Sequence, residues 1–155
     1  MKISAKSDYA VRAAAELAAA SGRLVKGEEL ARAQGIPLEF LENILRELRV
    51  AGVVIAQRGA EGGYGLARPA EEITVAEILN AVEGPLASVQ RVPLEELAYH
   101  GAAERLADVW IAMRAGMHAV IGSVTLADLA AGNLPDSVRA VIPIADAPAP
   151  TPTPT

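Results

Sequence analysis

Residues 28–66 form an uninterrupted series of helix, turn, helix and glycine-tipped hairpin, and this order limits the folds open to the chain. The pattern predicts a first helix over Glu28–Gln34, ended by Gly35, and a second over Leu38–Ala51, ended by Gly52. On the second helix, four apolar residues fall within one third of the circumference, so we expect this face to be buried. They are Leu41, Ile44, Leu45 and Leu48.

A β-hairpin is predicted next, with strands at Val53–Gln57 and Tyr64–Arg68. The loop between them is rich in glycine and begins with Arg58, which suits a backbone that approaches phosphate or enters a narrow groove. A nucleotide-binding P-loop is excluded, because no lysine followed by Ser or Thr comes after the glycines. We therefore predict a mainly α fold with a small β-hairpin wing, a winged helix-turn-helix.

Helices are also predicted on both sides of this unit. Residues 6–20 carry an alanine stripe, with Ser4 or Ser7 as the cap. Thr74–Glu77 and Thr125–Asp128 have the capping-box pattern that begins a helix.

The longest helical pattern covers about residues 102–122, and its apolar stripe is longer than a winged domain could cover. Without an intrachain partner of similar length, this C-terminal helix is expected to pair with a second subunit. The predicted dimer interface consists of Leu106, Val109, Trp110, Met113, Met117, Val120 and Ile121. An effector pocket lined by Trp110, Met113 and Met117 is the alternative, but this spacing favours packing.

The chain divides into a winged domain at 1–84, connector and dimerisation helices at 85–132, and an extended, disordered Pro/Thr/Ala tail at 133–155. Its net charge of −5 is uneven, with +2 on residues 1–70 and −7 on residues 71–155. A basic head on an acidic body is typical of a protein that meets phosphate at one end. The amino terminus lacks the apolar stretch of a signal peptide, so we expect a cytoplasmic protein with no membrane partner.

The exposed face of the second helix and the wing are the predicted DNA contacts. Asn43 can pair with adenine, Arg46 or Arg49 with guanine, and a glutamate can accept from a cytosine amino group. The alternative is a solvated face with a Glu42–Arg46 ion pair. The start of the first helix could reach the DNA backbone. The complete predicted set is Lys2, Lys6, Tyr9, Glu39, Phe40, Glu42, Asn43, Arg46, Arg49, Arg58, Gly59, Gly62 and Gly63.

Several other classes of site are excluded or disfavoured. The chain has no cysteine, which rules out disulfides, thiolate-bound zinc and cysteine-held iron–sulfur clusters. His100 and His118 lack a second ligand at metal spacing, so we predict no metal and no cofactor, and a histidine-dependent metal sensor is a minor alternative. No nucleophile elbow or carboxylate cluster is present, so an enzyme is not expected.

The order of the motifs resembles that of the Rrf-type transcriptional regulators, the group that contains IscR, NsrR and CymR. The resemblance covers roughly residues 1–131 and implies a homodimeric repressor that binds a partly palindromic operator, with recognition helices in major grooves and wings in minor grooves. By resemblance, the contacts fall on Phe40, Glu42, Asn43, Arg58 and Gly59. The matching motifs are Met1-Lys-Ile-Ser4, Tyr9-Ala10, Arg58-Gly-x-x-Gly-Gly-Tyr64, Glu72-Ile-Thr74, Glu83-Gly-Pro-Leu86 and Val124-Thr-Leu-Ala-Asp-Leu129.

The chain also departs from this family pattern. Pro37 stands where many members have a serine cap, Phe40 where a tyrosine is frequent, and Lys26 where Ser or Thr is usual. Many members hold an iron–sulfur cluster on cysteines, whereas CymR-like members without a cluster respond to a protein partner. A protein partner or a small-molecule effector is therefore implied here. The rival function is a protein-interaction module that uses a winged-helix scaffold without binding DNA, as the acidic total charge suggests.

Overall fold

The structure is a computed structural model that describes residues 3–84, 88–89 and 92–143. The predicted Lys2 contact, parts of the predicted connector and the tail from residue 144 lie outside the described residues. The helices are α1 (Ala5–Ala19), α2 (Gly27–Gln34), α3 (Leu38–Val50), α4 (Val75–Glu83), α5 (Leu106–Ile121), α6 (Leu126–Ala131) and α7 (Asp136–Arg139). The strands are β1 (Val54–Gln57), β2 (Gly63–Leu66), β3 (Ser88–Val89) and β4 (Val92–Pro93), and single 3₁₀ turns lie at Ala70–Glu72, Leu94–Glu96 and Gly101–Ala103.

α1 lies at the centre of the fold because its buried face is made of alanine. Ala10, Ala13 and Ala14 have no exposed surface, and their small side chains allow neighbouring backbones to come close. α2, α3, α4, α6 and β2 all pack against α1. Ser4 caps the helix, since its Oγ accepts a hydrogen bond from the Ser7 N–H at 3.0 Å.

α2 and α3 form the predicted helix-turn-helix, with ends that differ by one residue from the predicted ones. Gly35 ends α2 in the left-handed conformation at φ 62°. The apolar face of α3 is at most 1% exposed, which confirms Leu41, Ile44, Leu45 and Leu48 as core.

The two strands of the wing form backbone hydrogen bonds with each other and with the residue that precedes the helix-turn-helix. β1 and β2 pair antiparallel, with Val54 opposite Leu66 and Gln57 opposite Gly63. Val25, which precedes α2, exchanges two backbone hydrogen bonds of 2.8 Å with Tyr64 of β2. The hairpin is therefore held in a fixed place beside α2.

The chain leaves the winged domain after α4 and returns to it at α6. Thr74 and Thr125 form an antiparallel bridge, and the Leu126 N–H donates to the Ile73 carbonyl at 2.9 Å. Leu126 is completely buried in the same core as α1. Residues 126–131 thus pack within the winged domain, although the sequence pattern grouped them with the dimerisation helices.

The two predicted capping boxes have different outcomes. At α6 the box is complete, because the Thr125 and Asp128 side chains each accept the other residue's backbone N–H, at 3.1 and 2.9 Å. At α4 the Thr74 hydroxyl accepts from the Glu77 N–H at 3.2 Å, but the Glu77 carboxylate pairs with Arg68. The prediction of a full box at α4 is wrong because a guanidinium provides a charged donor.

Two C-terminal segments also differ from the predictions. The long helix begins at Leu106 rather than near residue 102, after the separate 3₁₀ turn at Gly101–Ala103. The predicted extended tail contains α7, where Pro135 occupies the cap position and Val138 is buried. Proline fixes the backbone before a helix, and the burial of Val138 shows that this turn packs against other parts of the chain.

Polar side chains join the start of α1 to α3 and to the end of α4. The Lys6 Nζ lies 2.7 Å from the Glu47 Oε2 and donates to the Val82 carbonyl at 2.8 Å. The Ser7 hydroxyl donates to the Glu83 carboxylate at 2.9 Å, and the Ser4 hydroxyl donates to the same oxygen. We call Ser4, Lys6, Ser7, Glu47 and Glu83 the polar clasp.

The polar clasp should make stability depend on acid pH. Hydrogen bonds from Ser4 and then Ser7 hold the pKa of Glu83 below its ordinary value of 4.5. Because the folded-state pKa is lowered, the stabilisation is complete above pH 4.5 and is lost as the pH falls below it. We expect Glu83→Gln to lose less free energy of unfolding than wild type between about pH 6 and about pH 3, measured by urea denaturation. Ser7→Ala should reduce the same dependence, and identical acid-side slopes in all three proteins would contradict this assignment.

Candidate nucleic-acid interface

The solvent-facing side of α3 brings six predicted contacts together. Glu39, Phe40, Glu42, Asn43, Arg46 and Arg49 are all exposed. The Asn43 Nδ2 donates to the Glu39 carbonyl at 3.2 Å, and the Arg46 guanidinium donates to the Asn43 Oδ1. The Glu42–Arg46 ion pair of the alternative interpretation is therefore not formed, because Arg46 binds Asn43.

Phe40 is supported from α1. Its ring meets the Tyr9 ring edge to face, with centroids 5.7 Å apart and planes at 84°. The Arg12 guanidinium lies 5.3 Å from the Tyr9 ring centroid. Contacts of these two kinds contribute about 0.5–1.5 and about 0.5–1 kcal/mol. Tyr9 thus lies beside the exposed face of α3 and positions one of its side chains, whereas its predicted contact with the DNA backbone stays a prediction.

The other predicted residue of α1, Lys6, lies in a different environment. Its ammonium group is used by Glu47 and the Val82 carbonyl within the polar clasp. The contact with phosphate predicted from sequence would have to break this pair. Sequence periodicity could not reveal the pairing, because the three residues belong to separate elements.

The wing loop carries Arg58 on an anchored backbone. The Arg58 side chain is exposed and makes no hydrogen bond or ion pair with the described part of the chain. Beside it, the Lys26 Nζ donates to the Gly59 carbonyl at 2.9 Å. Lys26, at the cap position of α2, therefore ties the wing loop to the helix-turn-helix, a contact that the sequence did not indicate.

Gly62 and Gly63 have a structural reason to be glycine. A Cβ at Gly62 would lie 2.8 Å from the Arg58 carbonyl oxygen, and one at Gly63 would lie 2.7 Å from the Val25 carbonyl oxygen. Both distances are too short for real side-chain contacts. The pair shapes the hairpin and lets it meet Val25, whereas Gly59 has open space around it.

α5 carries the side chains predicted for the dimer interface. None of its residues is buried, and Val109 and Met113 are 56% and 44% exposed. On its inner side, the Trp110 Nε1 donates to the Tyr99 hydroxyl at 3.3 Å. Arg114 bonds Glu95 and thereby lowers the pKa of that carboxyl. One side of α5 thus holds the connector, and the other is an apolar surface open to solvent.

Comparison with known proteins identifies the family. The Rrf2 family model, described as "Iron-dependent Transcriptional regulator", matches residues 3–132. The chain belongs to the Rrf2 family. Rrf2 proteins are transcriptional regulators rather than enzymes, and the mainly α winged-helix fold predicted from sequence is confirmed.

Individual Rrf2 relatives support the assignment. The chain is 52% identical over 139 residues to Rv1287 of Mycobacterium tuberculosis, named as an HTH-type transcriptional regulator, covering 89% of this chain and 86% of that protein. It is similar to the structure of CymR, the global cysteine regulator of B. subtilis, with 33% identity, a TM-score of 0.72 and coverage of 86% and 98%. IscR of T. potens gives 31% identity, a TM-score of 0.68 and coverage of 92% of both chains.

The residues of this Rrf2 protein do not fit the iron in the family description. Without cysteine, a thiolate-held iron–sulfur cluster has no ligands in the chain. Across residues 3–84, 88–89 and 92–143, no three His, Asp or Glu side chains lie close enough to share a metal ion. In the same residues, no helix has the length and apolar character needed to cross a membrane.

Substitution of Gly63 should show that the wing depends on its close approach to Val25. We expect Gly63→Ala to lower the free energy of unfolding by about 1–3 kcal/mol, because the added methyl overlaps the Val25 carbonyl. Chemical denaturation at fixed protein concentration measures this. Gly27→Ala is the matched control, since the nearest atom to a Cβ there is an ordinary contact at 3.5 Å, on the Tyr64 ring, and we expect a much smaller change in the free energy of unfolding. Equal free energies of unfolding for the two variants would contradict the prediction that close approach to Val25 requires glycine at position 63.

Proposed function

We propose that this Rrf2 protein is a cytoplasmic, sequence-specific DNA-binding regulator that represses transcription as a homodimer. In this proposal α3 enters the major groove, the wing enters the adjacent minor groove, and a small-molecule effector or protein partner adjusts the affinity. One observation carries the proposal. The exposed face of α3 and the wing are joined through α2 by the Val25–Tyr64 and Lys26–Gly59 hydrogen bonds, so they form one fixed surface.

Base readout in the major groove falls to the polar side chains of α3. An α-helix fits this groove, where Asn can pair bidentately with adenine and Arg with guanine. In the free protein the Arg46 guanidinium donates a hydrogen bond to the Asn43 side-chain oxygen. Both side chains stay exposed on the surface of α3. DNA bases would replace this bond, while Arg49 at the other end of the helix supplies a further donor.

Phosphate and minor-groove contacts fall to the wing and the helix starts. Arg58 is exposed beside a loop that Lys26 holds in place, and arginine is favoured in a narrow minor groove because of its negative potential. Within the described residues, no side chain caps α2 or α3, because Lys26 and Pro37 occupy the cap positions. Their first N–H groups therefore have no side-chain acceptor among the described residues.

Dimerisation through α5 would supply the two-fold symmetry. An apolar stripe on an otherwise solvent-facing helix is self-complementary when two copies pair around a two-fold axis. Two linked recognition helices would then reach half-sites about 34 Å apart, one turn of DNA.

The first test is selection of bound sequences from a random pool of double-stranded DNA, carried out with a metal chelator present. A two-fold symmetric site should be enriched. On that site, Arg58→Ala should weaken binding by about tenfold or more, because a minor-groove cation is lost. The matched control is Arg105→Ala, which removes an exposed arginine that pairs with Asp108 of α5 and belongs neither to the helix-turn-helix nor to the wing.

Equal effects of the two arginine substitutions at fixed salt would contradict a role for the wing. A folded dimer that enriches no sequence would contradict DNA binding. That result would favour the protein-interaction module instead.

The dimer surface has a separate test. Met113→Glu should convert the dimer to a monomer, because two buried carboxylates would face each other at the seam. Light scattering coupled to gel filtration measures the mass. Val50→Glu is the matched control, since Val50 is 84% exposed and lies on α3 rather than α5. A dimeric Met113→Glu protein would place the interface elsewhere.

A further inference from the structure

We propose that Phe40 makes α3 sensitive to the 5-methyl group of a pyrimidine, so that each half-site contains a thymine whose methyl group contacts the Phe40 ring. The inference rests on the proposed function. It names a chemical feature of the DNA that the protein would select.

Phe40 is an apolar side chain in a position suited to base edges. It is the third residue of α3 and is 40% exposed. The N-terminal residues of a recognition helix are those that contact bases in helix-turn-helix proteins. A phenyl ring can neither donate nor accept a conventional hydrogen bond, and the thymine methyl is the one apolar group among the base edges of the major groove.

The ring is held in place before any DNA arrives. Tyr9 contacts Phe40 edge to face, and Arg12 covers the Tyr9 ring. Arg12 is fixed in turn, since its guanidinium donates to the Asp8 Oδ2 and the Gln34 Oε1, each at 2.9 Å. A side chain that is already ordered loses little rotational freedom on binding, so a contact as small as one methyl becomes measurable.

A neighbouring polar side chain extends the inference to the base composition. Asn43 follows Phe40 by three residues, so the two lie on the same side of α3. Asparagine pairs best with adenine. Phe40 and Asn43 together therefore favour an A·T-containing step in each half-site.

Deoxyuridine scanning tests the contact on the selected duplex. Replacing a thymine by deoxyuridine removes only the 5-methyl group and keeps the O4 acceptor. We expect wild type to lose about fourfold in affinity at one position of each half-site, the effect of exposing one methyl-sized group. Fluorescence anisotropy at fixed salt measures it. In Phe40→Ala and Phe40→Gln the loss at that position should disappear.

Two further variants distinguish the direct contact made by Phe40 from the positioning of its ring by Tyr9. Tyr9→Leu should reduce the deoxyuridine effect, because the Phe40 ring is no longer held, so Tyr9 acts as a positioning residue. Val50→Ala is the matched control, an exposed apolar side chain at the other end of α3, and it should retain the wild-type effect. Thermal melting of each variant shows that it is folded.

Wild-type protein that binds the duplex but ignores every deoxyuridine would contradict the inference and leave the proposed function intact. A penalty that persists in folded Phe40→Ala would also contradict it. Wild-type protein that binds no duplex would contradict the proposed function and the inference together.

Discussion

The close approach of four helices to the alanine face of α1 is the constraint on which the other features depend. Ala10, Ala13 and Ala14 present little more than a methyl group each, so α2, α3, α4 and α6 can all pack on one central helix. A larger side chain at any of these positions would force the packed elements apart. The position of α3 on α1 therefore depends on buried side chains no larger than a methyl group.

α1 also determines what α3 offers to solvent. The polar clasp holds α3 through Glu47, while Tyr9, on the same helix, supports Phe40 at the outer surface. One helix thus supports both the position of α3 and an exposed side chain on it. The wing receives comparable support from Val25 and Lys26, so the whole candidate surface is ordered by contacts made before DNA is present.

Sequence reasoning recovered the features that depend on local rules. Gly35, the buried face of α3 and the Thr125–Asp128 box follow from backbone conformation and helical period, which a short segment contains in full. It did not recover the partner of Lys6, because periodicity shows that a face is covered but not by what. The return of Leu126 to the core was missed for the same reason. Lys6 meets its partner only when distant elements come together in the fold. The candidate contacts with DNA on α3 and the wing remain predictions.

The bridge between Thr74 and Thr125 joins the two ends of the long segment that contains α5. This segment is therefore a loop that is closed at the winged domain. The entropy of closing such a loop grows only slowly with its length, so the segment inside it can be lengthened, shortened or replaced at small cost. Evolution could then change how subunits pair, or what they detect, without altering the core that presents α3. Members of one family can in this way share the winged domain and differ in the segment between α4 and α6.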